Sequence, residues 1–127
     1  MKLNPDCVRD ILLLVEKKVD FGMFLELNVS SPHKDLSSYS HPEILYHISQ
    51  CEKAGLIDSA SYYDDGDGVD VGDLSPLGHQ LLADIRSDTV WSKTKTVSKK
   101  VGSTSLNALV QIATGVVTQI IKNELMT

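Results

Sequence analysis

What this chain can fold into is constrained most by the segment from Ala54 to Leu74. Gly55 stands where a helix would stop, because glycine adopts the left-handed backbone conformation that closes a helix without steric cost. Leu56–Tyr63 and Val69–Leu74 then read as two strands. Asp64-Asp65-Gly66-Asp67-Gly68 between them reads as a tight hairpin, its glycines supplying the positive backbone angles. The flanking segments decide which fold this junction belongs to.

Upstream, Asn4 is a good N-cap and Pro5 occupies the first helical position, where its missing N–H costs nothing. Val8, Ile11, Leu12, Val15 and Val19 follow at helical spacing, Leu13 and Leu14 widen the stripe, and Asp20-Phe21-Gly22 ends the helix. Met23, Leu25, Leu27 and Val29 alternate with Phe24, Glu26 and Asn28, the period of a strand with one apolar face. Residues 30–40 have loop chemistry, with room for one distorted helical turn. Ser40 and Glu43 have capping-box spacing and open a second helix whose buried stripe is Ile44, Leu45, Ile48 and Cys51. Tyr46, His47, Gln50 and Lys53 then look outward or toward a neighbouring element, as candidates for facing a partner. After the hairpin, Ser75 caps a third helix with Pro76 first and Leu77, Leu81, Leu82 and Ile85 inside. A more polar, basic helix past Trp91 and a long apolar-rich helix over residues 103–126 complete the reading.

Helix, strand, loop, helix, then hairpin is the order of a winged helix-turn-helix. The expected fold is therefore α+β: a winged-helix-like domain over residues 1–87, a basic helical connector over 88–102 and an amphipathic C-terminal helix over 103–127. The chain resembles the domain-of-unknown-function 2513 family, small proteins of bacteria and their phages and prophages. The resemblance rests on the run from Met1 to Leu12, on Tyr46-His47-Ile48 through Gly55-Leu56-Ile57, and on Leu74-Ser75-Pro76-Leu77-Gly78-His79. It closes with Asp84-Ile85-Arg86 and Val90-Trp91. It implies a mobile-element origin and a winged-helix core, and it transfers no activity.

Chemical motifs are few. The acidic hairpin invites a calcium reading, but an EF-hand counted from Asp65 would put Val69, Asp70 and Pro76 where an acid or Asn, Gly and Glu are required. His33, His41, His47 and His79 lack zinc-ligand spacing, and no Cys-x-x-Cys accompanies them, so no metal and no cofactor is expected. Cys7 and Cys51 fall at apolar or boundary positions and read as core filling. No nucleophile elbow or phosphate loop is present, and the expectation is a protein that is not an enzyme. Two cysteines and a start without a charged-then-apolar leader point to a reducing cytoplasm.

Charge separates the remaining classes. Residues 1–85 hold fifteen acids against six bases, and residues 86–127 two acids against six bases, within a net charge of -5. The hairpin from Asp58 to Asp73 carries six acids and no base, so a wing pressed toward phosphates is repelled. Arg86, Lys93, Lys95, Lys99 and Lys100 form the one basic patch and are the residues for nucleic-acid contact, outside the wing. The expected role is thus a regulatory or interaction protein that binds another protein, with a DNA-binding transcriptional regulator as the alternative. A small membrane-acting effector using the tail is a third class. From Val101 to Ile121 the tail has no charged residue, yet its many Ser, Thr, Asn and Gln argue against a membrane span. Leu106, Leu109, Ala113, Val116 and Ile120, widened by Val110 and Val117, have heptad spacing. That seam is expected to hold a homo-oligomer together, with docking on its own domain as the alternative.

Overall fold

A computed structural model gives the fold and describes residues 1–102 and 105–127. Every α-helix among them opens on a polar side chain that accepts a backbone N–H. The caps are Asn4 for α1 (Pro5–Lys18), Ser40 for α2 (His41–Lys53), Ser75 for α3 (Pro76–Ile85), Ser87 for α4 (Asp88–Val101) and Ser105 for α5 (Leu106–Leu125). At α2 the capping box is complete: Glu43 N–H donates to Ser40 Oγ at 3.2 Å, and Ser40 N–H donates to Glu43 Oε1 at 3.1 Å. The distorted turn expected between residues 30 and 40 is a short 3₁₀ turn, Lys34–Leu36, which drives Leu36 into the core. Residues 103 and 104, read from sequence as the start of the last helix, lie outside the described residues.

Three short strands form one antiparallel sheet: β1 (Leu25–Asn28), β2 (Ala60–Tyr63) and β3 (Gly68–Val71), in the order β1-β3-β2. Val71 faces Leu25 on one side and Ala60 on the other. Both hairpin strands are shorter than the expected 56–63 and 69–74, and a single bridge from Ile57 to Leu74 extends the pairing. The strand expected over residues 23–29 keeps only its centre. Leu25 and Leu27 are buried, whereas Met23 and Val29 lie beyond the ladder in solvent. At the hairpin tip, Asp64 and Asp65 themselves take positive φ (52° and 54°) together with Gly66, while Gly68 has already joined the strand. Short Asp side chains tolerate the left-handed region, so the turn needs fewer glycines than expected.

The family-like segments Ala54–Ile57 and Leu74–His79 meet in space. Gly55 closes α2 at φ +76°, and Ser75 donates from its N–H to the Leu56 carbonyl at 3.0 Å. Gly78, in the first turn of α3, lies so close to Leu56 that a Cβ there would collide with the Leu56 carbonyl oxygen. A glycine is required for this close backbone approach. Leu77, expected inside, is exposed and lines a shallow cleft with Ala54, Leu106 and Val110.

One cluster of buried side chains runs from Cys7 in α1 to Ala113 in α5. The basic segment expected as a helical connector is helix α4, and it packs on the core through Trp91, Thr94 and Ser98. The apolar seam of α5 is covered within the chain. Leu106, Leu109, Ala113 and Val116 are buried where α5 packs on α3 and α4, and Val117 and Ile120 are half-buried. Full burial of a leucine or valine side chain stabilises by about 1.5–3 kcal/mol, so this docking gives the stripe an outlet that needs no sister chain.

Candidate functional site

The residues expected from sequence to face a partner lie on α2, beside the hairpin. Helical spacing sends Ile44, Ile48 and Cys51 inward and leaves Tyr46, Gln50 and Lys53 on a different face. Lys53 is exposed; Tyr46 and Gln50 are half-buried at the rim. His47 is not partner-facing. It is fully buried between α2 and α1, where Asn4 N–H donates to its Nε2 at 2.8 Å. Its Nδ1 therefore carries the proton and donates to the Glu43 carbonyl at 2.7 Å. Tyr46 packs edge-on against the His47 ring, with centroids 5.1 Å apart.

The hairpin is pinned to this helix at both ends. His41 Nε2 donates to the Gly66 carbonyl at 2.8 Å, and Glu52 Oε2 accepts from Ala60 N–H at 3.0 Å. The hairpin backbone is thus held against α2, with Asp64, Asp65 and Asp67 at its tip, while Asp70 lies opposite Glu26 on the outer face of the sheet. A cleft of about 450 Å³ opens between β1, the 3₁₀ turn and the start of α2, floored by Leu27, Pro32, Leu36 and Ile44. Its polar rim is engaged within the chain. His41 holds Gly66, His33 Nδ1 accepts from Asp35 N–H at 3.1 Å, and the Tyr39 hydroxyl donates to Asp10 Oδ2 at 2.7 Å. Burial and the Asp10 carboxylate push the Tyr39 phenol well above its ordinary value.

The basic patch is divided. Arg86 pairs with Glu16, and Lys95 donates to Asp6 Oδ1 at 3.0 Å, so both are drawn into contacts with α1. Lys93, Lys99 and Lys100 are exposed on α4. The contact with α1 is a polar cluster that sequence reading missed. Trp91 Nε1 donates to Asp6 Oδ1 at 2.9 Å, and Arg9 and Lys95 sit over the Trp91 ring at 5.6 and 5.5 Å. Arg9 also donates to the Ile85 and Arg86 carbonyls at 3.0 and 2.6 Å, placing a cation at the negative end of α3. Burial alone would raise the Asp6 carboxyl. The hydrogen bonds from Lys95 and Trp91, with the charges of Lys95 and Arg9, outweigh it and hold Asp6 below the usual carboxylate range.

Cys7 and Cys51 are free, fully buried thiols, each pushed up to about 12 chiefly by burial. Such thiols are poor nucleophiles and fill the core. No group of three or more His, Cys, Asp and Glu among the described residues is placed to hold a metal ion. No helix among them is long and apolar enough to cross a membrane.

With this geometry in place, comparison with known proteins adds a family. Residues 2–105 match the family described as hypothetical protein DUF2513. An uncharacterized protein of Haemophilus influenzae is 32% identical over 123 residues, covering 95% of this chain and 99% of that one. No solved structure matches the chain. The chain belongs to the DUF2513 family.

Proposed function

We propose that this member of the DUF2513 family is a non-enzymatic, winged-helix-like interaction protein of phage or mobile-element type whose partner is another protein. The element order α1, β1, α2, β2, β3 and the sheet order β1-β3-β2 support the winged-helix reading, with α2 as the presenting helix and the hairpin as the wing. One observation carries the choice of partner. The hairpin holds six carboxylates and no base and is fixed beside α2, so a phosphate backbone approaching that helix meets a repelling wing. Tyr46 and Gln50 at the rim of α2 suit a protein surface better than a phosphate backbone.

Transcriptional regulation by DNA binding is the second reading, favoured by the exposed Lys93, Lys99 and Lys100 on α4. The two are separated by mobility shift near physiological salt. The protein-partner reading expects no duplex complex tighter than about 10⁻⁴ M. It also expects a photo-reactive side chain at Gln50 to crosslink to protein in an extract of the source organism. A micromolar duplex complex that weakens steeply with salt and is lost when Lys93, Lys99 and Lys100 become alanine replaces it with the second reading.

A further inference from the structure

Phe21 is fully exposed (102%), and Met23 and Phe24 are more than half exposed (57% and 59%), all in the turn between α1 and β1. Single exposed apolar side chains are ordinary, but three within four residues form a patch of the kind that marks an interaction site. They line a cleft of about 340 Å³ with Asp58, Ser59, Gly72 and Asp73. The strand register shows what lies next to it. With Val71 opposite both Leu25 and Ala60, the neighbouring row on the outer face of the sheet is Phe24, Gly72 and Ser59. The row after that is Glu26, Asp70 and Ser61. Beyond it, the Tyr63 ring fills the space a Cβ on Gly68 would take, and its hydroxyl donates to Glu26 Oε1 at 3.2 Å.

Glu26 and Asp70 sit directly opposite one another in the ladder, an arrangement that destabilises a sheet when nothing neutralises it. Among the described residues, none of Asp20, Glu26, Asp58, Asp70 and Asp73 has an ion-pair partner. We propose that this outer sheet face, with the Phe21–Phe24 turn, docks a basic amphipathic segment of a partner protein. Apolar side chains of that segment would enter the Phe21, Met23 and Phe24 cleft, and its Lys or Arg would lie against Glu26 and Asp70. Charge selects this occupant, because the same carboxylates repel nucleic acid and anionic lipid. The inference rests on the protein-binding reading above and moves the contact from the α2 face to the opposite side of the hairpin.

The test titrates the isotope-labelled full chain with a short amphipathic peptide of leucine and lysine and follows backbone amide shifts. Its leucine and glutamate counterpart, vesicles of phosphatidylcholine and phosphatidylserine, and duplex DNA serve as parallel probes. The expected result is shifts confined to residues 20–28, 58–63 and 68–73 with the lysine peptide alone. Affinity should fall about tenfold or more in Phe21→Ser and in Glu26→Lys/Asp70→Lys. Phe21 and Glu26 are exposed and Asp70 is half-buried on the same outer face, and urea midpoints check that each variant folds. Shifts at Tyr46, Gln50 and Lys53 instead overturn this inference and leave the protein-binding reading standing. Equal response to the glutamate peptide, or none to either peptide, overturns the inference. Response to DNA or vesicles alone overturns both.

Discussion

Helix α1 is held on its two flanks by opposite kinds of chemistry. Toward α2 the contact is buried and neutral: His47 lies at zero exposure with one ring nitrogen on the Asn4 N–H and the other on the Glu43 carbonyl. Toward α3 and α4 it is ionic and wet: Arg9 with Asp88, Arg86 with Glu16, and Lys95 with Asp6, where Asp88 is almost fully exposed. Exposed pairs contribute about 0–1 kcal/mol each, whereas a buried group left unsatisfied costs about 1–3 kcal/mol. The difference teaches that the basic charge after residue 85 is partly structural, held against α1 by its acids, while the acids of the hairpin and sheet have no ion-pair partner among the described residues. The net +4 of residues 86–127 therefore overstates how much positive charge the surface offers to a polyanion.

The ionic flank is weak, so α4 and α5 must be held by apolar packing, and the largest expected effect tests this. Leu109→Asp puts a carboxylate at a fully buried position between α5 and its neighbours. It should cost about 3–5 kcal/mol, seen as a large drop in urea midpoint that salt does not restore. An unchanged midpoint accompanied by a halving of the mass in light scattering would mean that Leu109 is covered by a second copy of the chain. The buried flank comes next. His47→Leu keeps the volume but strands the Asn4 N–H, while the Glu43 carbonyl keeps its helical bond from the residue-47 N–H, and a loss of about 1–3 kcal/mol is expected. A loss no greater than that of a surface substitution would show that water satisfies the Asn4 N–H and that the two flanks are alike.

The helix starts were legible because caps are local: Asn4, Ser40 and Ser75 each act on a residue two or three places along. The Gly55 stop and the hairpin were legible for the same reason. What the sequence hid was set by partners far along the chain. The pairs that tie Arg86 and Lys95 to α1 span 70 and 89 residues, and no charge count reveals them. His47 reads as a polar position beside an apolar stripe; only the arrival of Asn4 from α1 makes it a core residue. α4 looked like a connector because its buried face is Trp91, Thr94 and Ser98, two of them polar. In the candidate surfaces, Tyr46, Gln50 and Lys53 were legible from helical spacing. The Phe21–Phe24 patch was not, since an aromatic beside a helix stop carries no local sign of whether a neighbour covers it.

The smallest effect lies on the ionic flank and is read through pH. Asp6 is held below the usual carboxylate range by Lys95, Trp91 and Arg9 against the opposing effect of burial. A carboxyl whose folded value is depressed binds protons less readily than in the unfolded chain. Its stabilisation is therefore fully present above the unfolded value and disappears as pH falls through the folded one. With the Asp6 side chain 49% exposed and Lys95 36% exposed, solvent screening limits the contribution to below about 1 kcal/mol. Asp6→Asn keeps the shape and an acceptor for Trp91 while removing the charge. The gap in urea midpoint between the native chain and this variant should be flat from about pH 8 to pH 5, then close below about pH 4. Added salt should narrow it in the upper range. A gap that survives undiminished in strong acid would assign the stabilisation to hydrogen-bond geometry instead of charge. The outer flank of α1 would then resemble the His47 flank more closely than its exposed ion pairs suggest.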